Sequence, residues 1–219
     1  MKEPVLETKE LVAKLLLKVR AVTLNPQKPF RYDSGILSPV YTDCRIFISY
    51  PEHRKVIRDL YIEAMNKTGE KFDVIAGTAT AGIPHAAWIA DKLDLPMVYV
   101  RKAAKDNGKG NQIEGLIKKG QNAAVIEDLI STSGSSAVTA NTVREAGGKV
   151  SYIFSIITYG MKKAKENLKE NKLKLVSLTT FQDVVNVAQK LDFIKQEEAK
   201  IVLNWATNPV TWGKRMGFE

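Results

Sequence analysis

The sequence predicts an α/β fold in which a central, mostly parallel sheet is flanked by helices. Three observations lead there. From residue 72 to about 159, short apolar runs rich in Val and Ile alternate with stretches of helical periodicity, the signature of βαβ units. The stretch VIEDLISTSGSS (Val125–Ser136) carries an apolar strand straight into two acids, then into a cluster of hydroxyls around one glycine. The chain has 219 residues, 44% hydrophobic and 26% charged, which suits one sizeable soluble domain with a real core.

The elements follow in order. Leu11, Leu15, Leu16 and Val19 lie at helical spacing, so an amphipathic helix is expected over residues 6–22. PFRYDSGILSPVYTDCR follows, where Gly and Pro punctuate two short β-like pieces around a turn. Pro51 opens a helix that runs to about Lys67 and stops before Gly69. FDVIAG reads as a buried strand, GIPHAAWIADKL as a helix and PMVYVRK as a strand. KAAKDNGKGNQIEGLIKKG breaks the pattern; its Gly, Lys and Asn content predicts a mobile loop followed by a short β piece. AAVIEDLI is then one strand, GSSAVTANTVREAGG a helix closed by glycines, and KVSYIFSIITY another strand. Lys162–Lys174 reads as the solvated face of a helix with its following loop. From about Leu173 onward the patterns are helical, as in FQDVVNVAQKL and QEEAKIVLNWA. The closing WATNPVTWGKRMGFE suggests only packing and a tail. No repeat or low-complexity linker divides the chain, so a single domain is expected over 1–219.

Composition narrows the chemistry. One cysteine, Cys44, allows no internal disulfide and suits a reducing cytosol. No signal-like leader is evident and no apolar run approaches the roughly 20 residues of a membrane span, so a cytoplasmic protein without a membrane partner is expected. With two histidines and one cysteine, a His/Cys metal site is not expected. The formal charge of +9 suits any strongly anionic ligand. No nucleic-acid signature accompanies it, so no nucleic-acid partner is expected.

The acids of Val125–Ser136 end a strand of a parallel sheet, where ligands bind. Buried strands disfavour adjacent carboxylates unless these face a solvated crevice. There, Glu127 and Asp128 can accept hydrogen bonds from the hydroxyls of a sugar or help hold a hydrated Mg²⁺. Ser131–Ser135 precede a helix whose first-turn amides suit a phosphate. Diol and phosphate recognition side by side suit a ribose 5-phosphate. Neither the GxxxxGK[ST] of a P-loop nor the GxGxxG of a dinucleotide fold is present.

VIEDLISTSGSS resembles the phosphoribosyl pyrophosphate (PRPP) signature of type I phosphoribosyltransferases. Together with FRYDSGILSPVYTDCR, GTATAGIPHAAWIAD, VYVRKAAKDNGKGNQIEG and the final helices, it is similar to the orotate phosphoribosyltransferases, especially those of Gram-positive bacteria, from about Phe30 to the C-terminus. The resemblance implies a type I phosphoribosyltransferase fold with a small N-terminal hood largely in 1–50, a PRPP-binding core over about 51–160 and a C-terminal helical segment over about 161–219. It implies conversion of orotate and PRPP to orotidine 5′-monophosphate and pyrophosphate, in pyrimidine synthesis, with Mg²⁺ as cofactor.

Carried over residue by residue, PRPP is assigned to Arg101, Lys102, Lys105 and Asn107, and to Glu127, Asp128, Leu129, Ile130, Ser131, Thr132, Ser133, Gly134 and Ser135. Lys105 and Asp106 take the catalytic positions of the lid loop. In the family this lid reaches into the neighbouring subunit, which implies a homodimer with shared sites. Ser131, Tyr41 and Thr42 match the orotate side. Mg²⁺ is expected to be held through PRPP and water, with Asp128 the candidate protein contact. The backbone of Gly77–Gly82 is expected to approach pyrophosphate, and His85 to serve packing or capping.

The chain departs from the wider family at Asp33, where some members carry lysine, at Ala81, also lysine in some, and around Thr158–Tyr159, where some place an arginine. Asn107 stands where the lid usually has histidine; it can hydrogen-bond pyrophosphate but carries no charge. Two alternatives share much of the pattern: a phosphoribosyltransferase for a purine or uracil, and a PRPP-sensing regulator that binds DNA. The segment FRYDSGILSPVYTDCR argues against the first and the lysine-rich lid against the second.

Overall fold

The computed structural model describes residues 7–102 and 112–218. Helix α1 (Thr8–Lys18) buries Val12, Ala13 and Leu15–Leu17. It ends four residues earlier than its periodicity predicts, because Arg20 turns the backbone into the left-handed region at φ 58°. Val22 joins a strand instead. That strand, β1 (Val22–Leu24), is followed by β2 (Phe30–Arg31), β3 (Leu37–Ser38) and β4 (Val40–Thr42). Two small antiparallel pairs result, β1 with β4 and β2 with β3. A 3₁₀ stretch, Cys44–Ser49, leads into α2 (Pro51–Asn66), which has proline in its first turn as expected.

The alternating region then unfolds in the expected order. It comprises β5 (Val74–Thr78), α3 (Gly82–Leu93), β6 (Met97–Val100), β7 (Ile113–Glu114), β8 (Asn122–Ile126), β9 (Leu129–Ile130), α4 (Gly134–Glu145) and β10 (Lys149–Thr158). The remainder is α5 (Lys162–Glu170), β11 (Lys174–Thr180), α6 (Phe181–Lys190), α7 (Gln196–Thr207) and α8 (Pro209–Arg215). Among the described residues the main sheet has the order β11-β10-β8-β5-β6-β7, with β9 also on β10. Every pair is parallel except β6 with β7.

Two differences from the sequence reading bear on the site. AAVIEDLI is not one strand but two, interrupted at Glu127–Asp128. The register survives the gap, since Ile126 faces Phe154 and Leu129 faces Ile157. The segment after Leu173 is not wholly helical, because KLVSLTT forms the edge strand β11. The ladder that makes it a strand comes from β10, helped by Ser155 Oγ and Ser177 Oγ at 2.7 Å. Thr180 then opens α6 with a capping box to Asp183.

Helices cover both faces of the sheet. One core cluster joins α1, α2, α3 and α6 to the sheet; the other joins α4 and α5. Thus α1, although within 1–50, belongs to the core layer: it packs on α6 and β11, and Thr179 Oγ1 donates to the Lys9 carbonyl at 2.9 Å. The small strand pairs that form the hood are closed from the C-terminal side. Trp205 Nε1 of α7 donates to the Leu37 carbonyl at 3.1 Å, and α8 packs on β3, where a Cβ at Gly213 would lie 3.0 Å from Leu37 Cδ1. Trp205 and Trp212 are among the largest fully buried side chains. The stretch from Trp205 through α8 is therefore a structural part of the hood.

Trp212 also donates from Nε1 to the Ile201 carbonyl at 3.3 Å, tying α8 to α7. Trp212→Ala is expected to destabilise the fold by about 3–5 kcal/mol, as for other buried aromatic truncations. Urea unfolding reads this; an unchanged midpoint would show that the α7–α8 contact contributes little.

Candidate active site

The carboxyl ends of β5, β6 and β8 open onto one crevice, the expected place for a ligand in a parallel sheet. Glu127 and Asp128 stand at its centre. The Glu127 amide donates to the Phe154 carbonyl at 2.9 Å, and the Ile156 amide donates to the Asp128 carbonyl at 3.0 Å. From beneath, Tyr61 on α2 donates its hydroxyl to the Glu127 carbonyl at 2.6 Å. The backbone of both acids is thus clamped between β10 and α2.

Their side chains pay for this placement. Glu127 is only 7% exposed. Burial pushes its carboxyl well above the usual carboxylate range, and the neighbouring Asp128 charge adds to the shift. Burial also raises Asp128, although hydrogen bonds from its surroundings oppose the rise. Together with Thr42, Asp43, Arg45, Ala79–Ala81, Lys102, Leu129 and Ser135 they line a polar cavity of about 310 Å³. Of its two cations, Arg45 is engaged by Asp43, with Nε 2.6 Å from Oδ1, and Lys102 is exposed at the rim.

The turn Gly77–Gly82 approaches this cavity closely. A Cβ on Gly77 would come within 3.1 Å of Ala86 Cβ, and one on Gly82 would run into the Ile126 carbonyl oxygen. Glycine there lets α3 start directly against the strand that delivers the acids. His85, three residues on, is buried in edge contact with Trp88, with ring centroids 5.3 Å apart. Neither ring nitrogen has a hydrogen-bond partner among the described residues, and burial lowers the imidazole to about 4. Its role is packing.

Beyond β9, Ser131–Ser135 form the loop into α4. Ser133 holds the left-handed conformation at φ 61° and caps the helix without a side-chain bond. The first intrahelical bond runs from the Ala137 amide to the Ser133 carbonyl at 2.9 Å, so the preceding amides have no helical partner to satisfy them. Helix α5 braces the loop. Asn167 Nδ2 donates to the Thr132 carbonyl at 2.8 Å, and Ser133 Oγ donates to the Ala164 carbonyl at 3.3 Å.

A second cavity, of about 540 Å³, opens on the other side of this loop. Ser131 and Thr132 form one wall, and Tyr32, Tyr159, Trp205 and Val210 form the others. Tyr159 and Trp205 meet edge to face at 5.2 Å, and Tyr32 and Trp205 at 6.3 Å. Tyr159 donates its hydroxyl to Thr42 Oγ1 at 2.9 Å, linking the two cavities. Burial pushes its phenol well up, so it remains a neutral donor.

Residues 49–192 match the family model described as a phosphoribosyl transferase domain. An orotate phosphoribosyltransferase of Listeria monocytogenes serotype 4b is 49% identical over 203 residues, covering 93% of this chain and 97% of that protein. The chain belongs to the orotate phosphoribosyltransferase family. A Coxiella burnetii orotate phosphoribosyltransferase is 47% identical over 92% of this chain and 96% of its own. Among solved structures, the crystal structure of orotate phosphoribosyltransferase from Aeropyrum pernix superposes with a TM-score of 0.72 at 30% identity, over 84% of this chain and 99% of that one. The type I phosphoribosyltransferase fold expected from the resemblance is the observed one.

Within this family frame, the structure distributes the expected site residues unevenly. Glu127, Asp128, Leu129, Ser135 and Lys102 line the polar cavity, and Ser131 and Thr132 line the aromatic one. Ile130 is buried and pairs with Thr158 of β10, so it anchors the loop. Arg101 lines a smaller neighbouring cavity, and its Nη1 lies 3.8 Å from Glu114 Oε1 of β7. On the hood, Thr42 lines the polar cavity, but Tyr41, expected along the base, is 44% exposed and packs on Phe30 and Tyr32 at 5.6 and 6.5 Å. Tyr32 takes a place in the aromatic cavity instead. Lys105, Asp106 and Asn107 lie outside the described residues. Tyr61, Asn167, Tyr32 and Trp205 were not legible as site residues, since each is brought in by tertiary packing from an ordinary helix or hairpin.

Two tests follow. Glu127→Gln removes a buried carboxyl whose ionised form the fold disfavours, so at pH 8 it is expected to raise stability by about 1–2 kcal/mol while weakening PRPP binding. The sign follows from the raised carboxyl: the folded state disfavours ionised Glu127, so its penalty grows as pH rises through the unfolded and then the folded value, and it vanishes below both. Denaturant unfolding at pH 5 and 8 checks it; equal effects at both pH values would contradict the assignment. Asn167→Ala frees the Thr132 carbonyl and is expected to raise the KM for PRPP about 5–10-fold, the loss of one positioning hydrogen bond. Initial rates at varied PRPP would show an unchanged KM if the brace were idle.

Proposed function

We propose that this chain is an orotate phosphoribosyltransferase, transferring the 5-phosphoribosyl group of PRPP to orotate to give orotidine 5′-monophosphate and pyrophosphate in pyrimidine synthesis. The observation that carries the reading is the pair of cavities on either side of one loop, one lined by buried carboxyls and the other by aromatic rings. High identity to orotate phosphoribosyltransferases over nearly the whole chain supports it.

In this reading the polar cavity holds the ribose. Glu127 and Asp128 accept hydrogen bonds from its two hydroxyls, an arrangement that repays their burial. The amides leading into α4 hold the 5′-phosphate. Arg101, Lys102, Lys105 and Asn107 gather around the pyrophosphate, which leaves as its bond to the anomeric carbon breaks. The pyrimidine N1 then forms the new bond from the aromatic cavity and loses its proton. Positive charge builds on the ribose ring during this step, so close, oriented carboxyls and an enclosed site matter more than any covalent chemistry by the protein. Lys105 and Asp106 on the lid serve the leaving group and the proton or charge transfer, and closure of the lid excludes water.

The carboxyls also fit the magnesium that PRPP carries. Among the described residues no group of three or more His, Cys, Asp or Glu is placed to hold a metal ion. The buried acids favour a cation beside them, so Mg²⁺ would be held by PRPP and water with Asp128 as the protein contact. Bound there, the ion would supply positive charge that offsets the charge of the leaving pyrophosphate. We assign the enzyme a homodimeric state, with each lid serving its partner's site, and a cytoplasmic location; no described helix is long and apolar enough to cross a membrane.

Incubation with PRPP, Mg²⁺ and orotate, followed by absorbance, tests the reading, with uracil, adenine and hypoxanthine in parallel. Turnover of another base but not orotate would overturn it. Lys105→Ala is expected to lose at least about 100-fold in rate with little loss of stability. Mixing it with inactive Asp128→Asn should restore part of the activity through hybrid dimers; a fully active Lys105→Ala would remove the lid from the mechanism.

A further inference from the structure

The aromatic cavity poses a question that its rings do not answer. Tyr32, Tyr159 and Trp205 present flat apolar surfaces, and Ile36 and Val210 extend them. Such walls receive any planar ring, charged or not. Much of this enclosure lies outside the shared phosphoribosyl transferase domain, which spans residues 49–192: Tyr32 and Ile36 come from the hood, and Trp205 and Val210 from α7 and α8. Discrimination between bases therefore needs a polar feature in this cavity. A pyrimidine bearing a carboxylate, in particular, needs a cation near a wall where water is scarce.

The described residues that line the cavity include two cations, Lys162 and Lys163, both in the first turn of α5. They differ in availability. Lys162 is 91% exposed along its side chain and has Nζ 3.8 Å from Glu166 Oε1. Lys163 is likewise exposed but has no ion pair among the described residues, so the two differ in pairing and not in exposure. The other cations of the site are committed elsewhere, Arg45 to Asp43 and Lys102 to the polar cavity. The start of α5 is also held against the phosphate loop through Asn167 to Thr132 and Ser133 to Ala164. Lys163 is therefore carried at a defined place relative to Ser131, on the wall of the same cavity.

We propose that Lys163 is the counter-charge for the substrate carboxylate, and that through it the aromatic cavity selects orotate over uncharged pyrimidines. This rests on the reading of the chain as an orotate phosphoribosyltransferase and adds to it the residue that decides the base. Lys162, spent on Glu166, contributes little.

A binding cycle tests it without relying on turnover. Orotidine 5′-monophosphate and uridine 5′-monophosphate differ by the carboxylate alone. Titration of each, followed by tryptophan fluorescence from Trp205 in the cavity wall, gives their affinity ratio. The native protein is expected to favour the carboxylated nucleotide at least about tenfold, the worth of one charge-assisted hydrogen bond. In Lys163→Gln the ratio should fall towards one, with the uridine affinity unchanged; Lys163→Arg should keep most of it, and Lys162→Gln should stay within about twofold of the native protein. In kinetics, Lys163→Gln should raise the KM for orotate about tenfold and leave the KM for PRPP within about twofold. An unchanged ratio in Lys163→Gln overturns the proposal. So does an equal loss for both nucleotides, which would mean that Lys163 serves the phosphate through the adjacent Thr132 loop. If the native protein turned over no orotate, the proposed activity would fail, while the nucleotide ratio would still report on Lys163.

Discussion

The site depends on one constraint: the backbone of Glu127 and Asp128 is clamped while their side chains face a crevice. Bonds to Phe154 and Ile156 keep these two residues in register with β10 although the strand itself lapses between β8 and β9. The Tyr61 hydroxyl holds the Glu127 carbonyl from the α2 side, and the bare backbone of Gly82 closes against Ile126 just before the acids. Three elements far apart in the chain therefore meet on a few backbone atoms. The loop Ser131–Ser135 begins where this clamp ends, so its position is inherited from the same bonds.

That arrangement stores an unfavourable electrostatic state in the free protein. Two neighbouring carboxyls sit largely out of water, and both resist ionisation. A protein built for stability alone would place apolar side chains there. The pair makes physical sense as a preorganised acceptor surface whose partners arrive with the ligand. His85 beneath it shows the opposite solution: a buried titratable ring kept neutral, filling space between Tyr61 and Trp88.

The second cavity has a different origin. Its walls come from the hood hairpin and the C-terminal helices, joined by the indole of Trp205 on the Leu37 carbonyl and by the rings around it. Burying Trp205 and Trp212 ties the hood strands to α7 and α8. The ring-lined half of the site is thus a by-product of the packing that closes the hood, whereas the acid-lined half follows from the sheet.

The sequence by itself determined the alternating α/β order, the boundaries of α3 and α4, and the acid pair followed by a hydroxyl loop. These are local: periodicity, glycine placement and a contiguous motif such as VIEDLISTSGSS encode them within a dozen residues. Tertiary structure alone decided the break at Glu127–Asp128, the strand β11, the membership of α1 in the core layer and the place of Tyr32 rather than Tyr41 in the aromatic cavity. It also decided that Trp205, Asn167 and Lys163, which carry no motif, stand beside Ser131 and Thr132. The physical reason is the same in each case. A strand edge, a cavity wall or a brace exists only once residues from about twenty to more than a hundred and fifty positions apart are packed together, and no short-range pattern records which of them will meet.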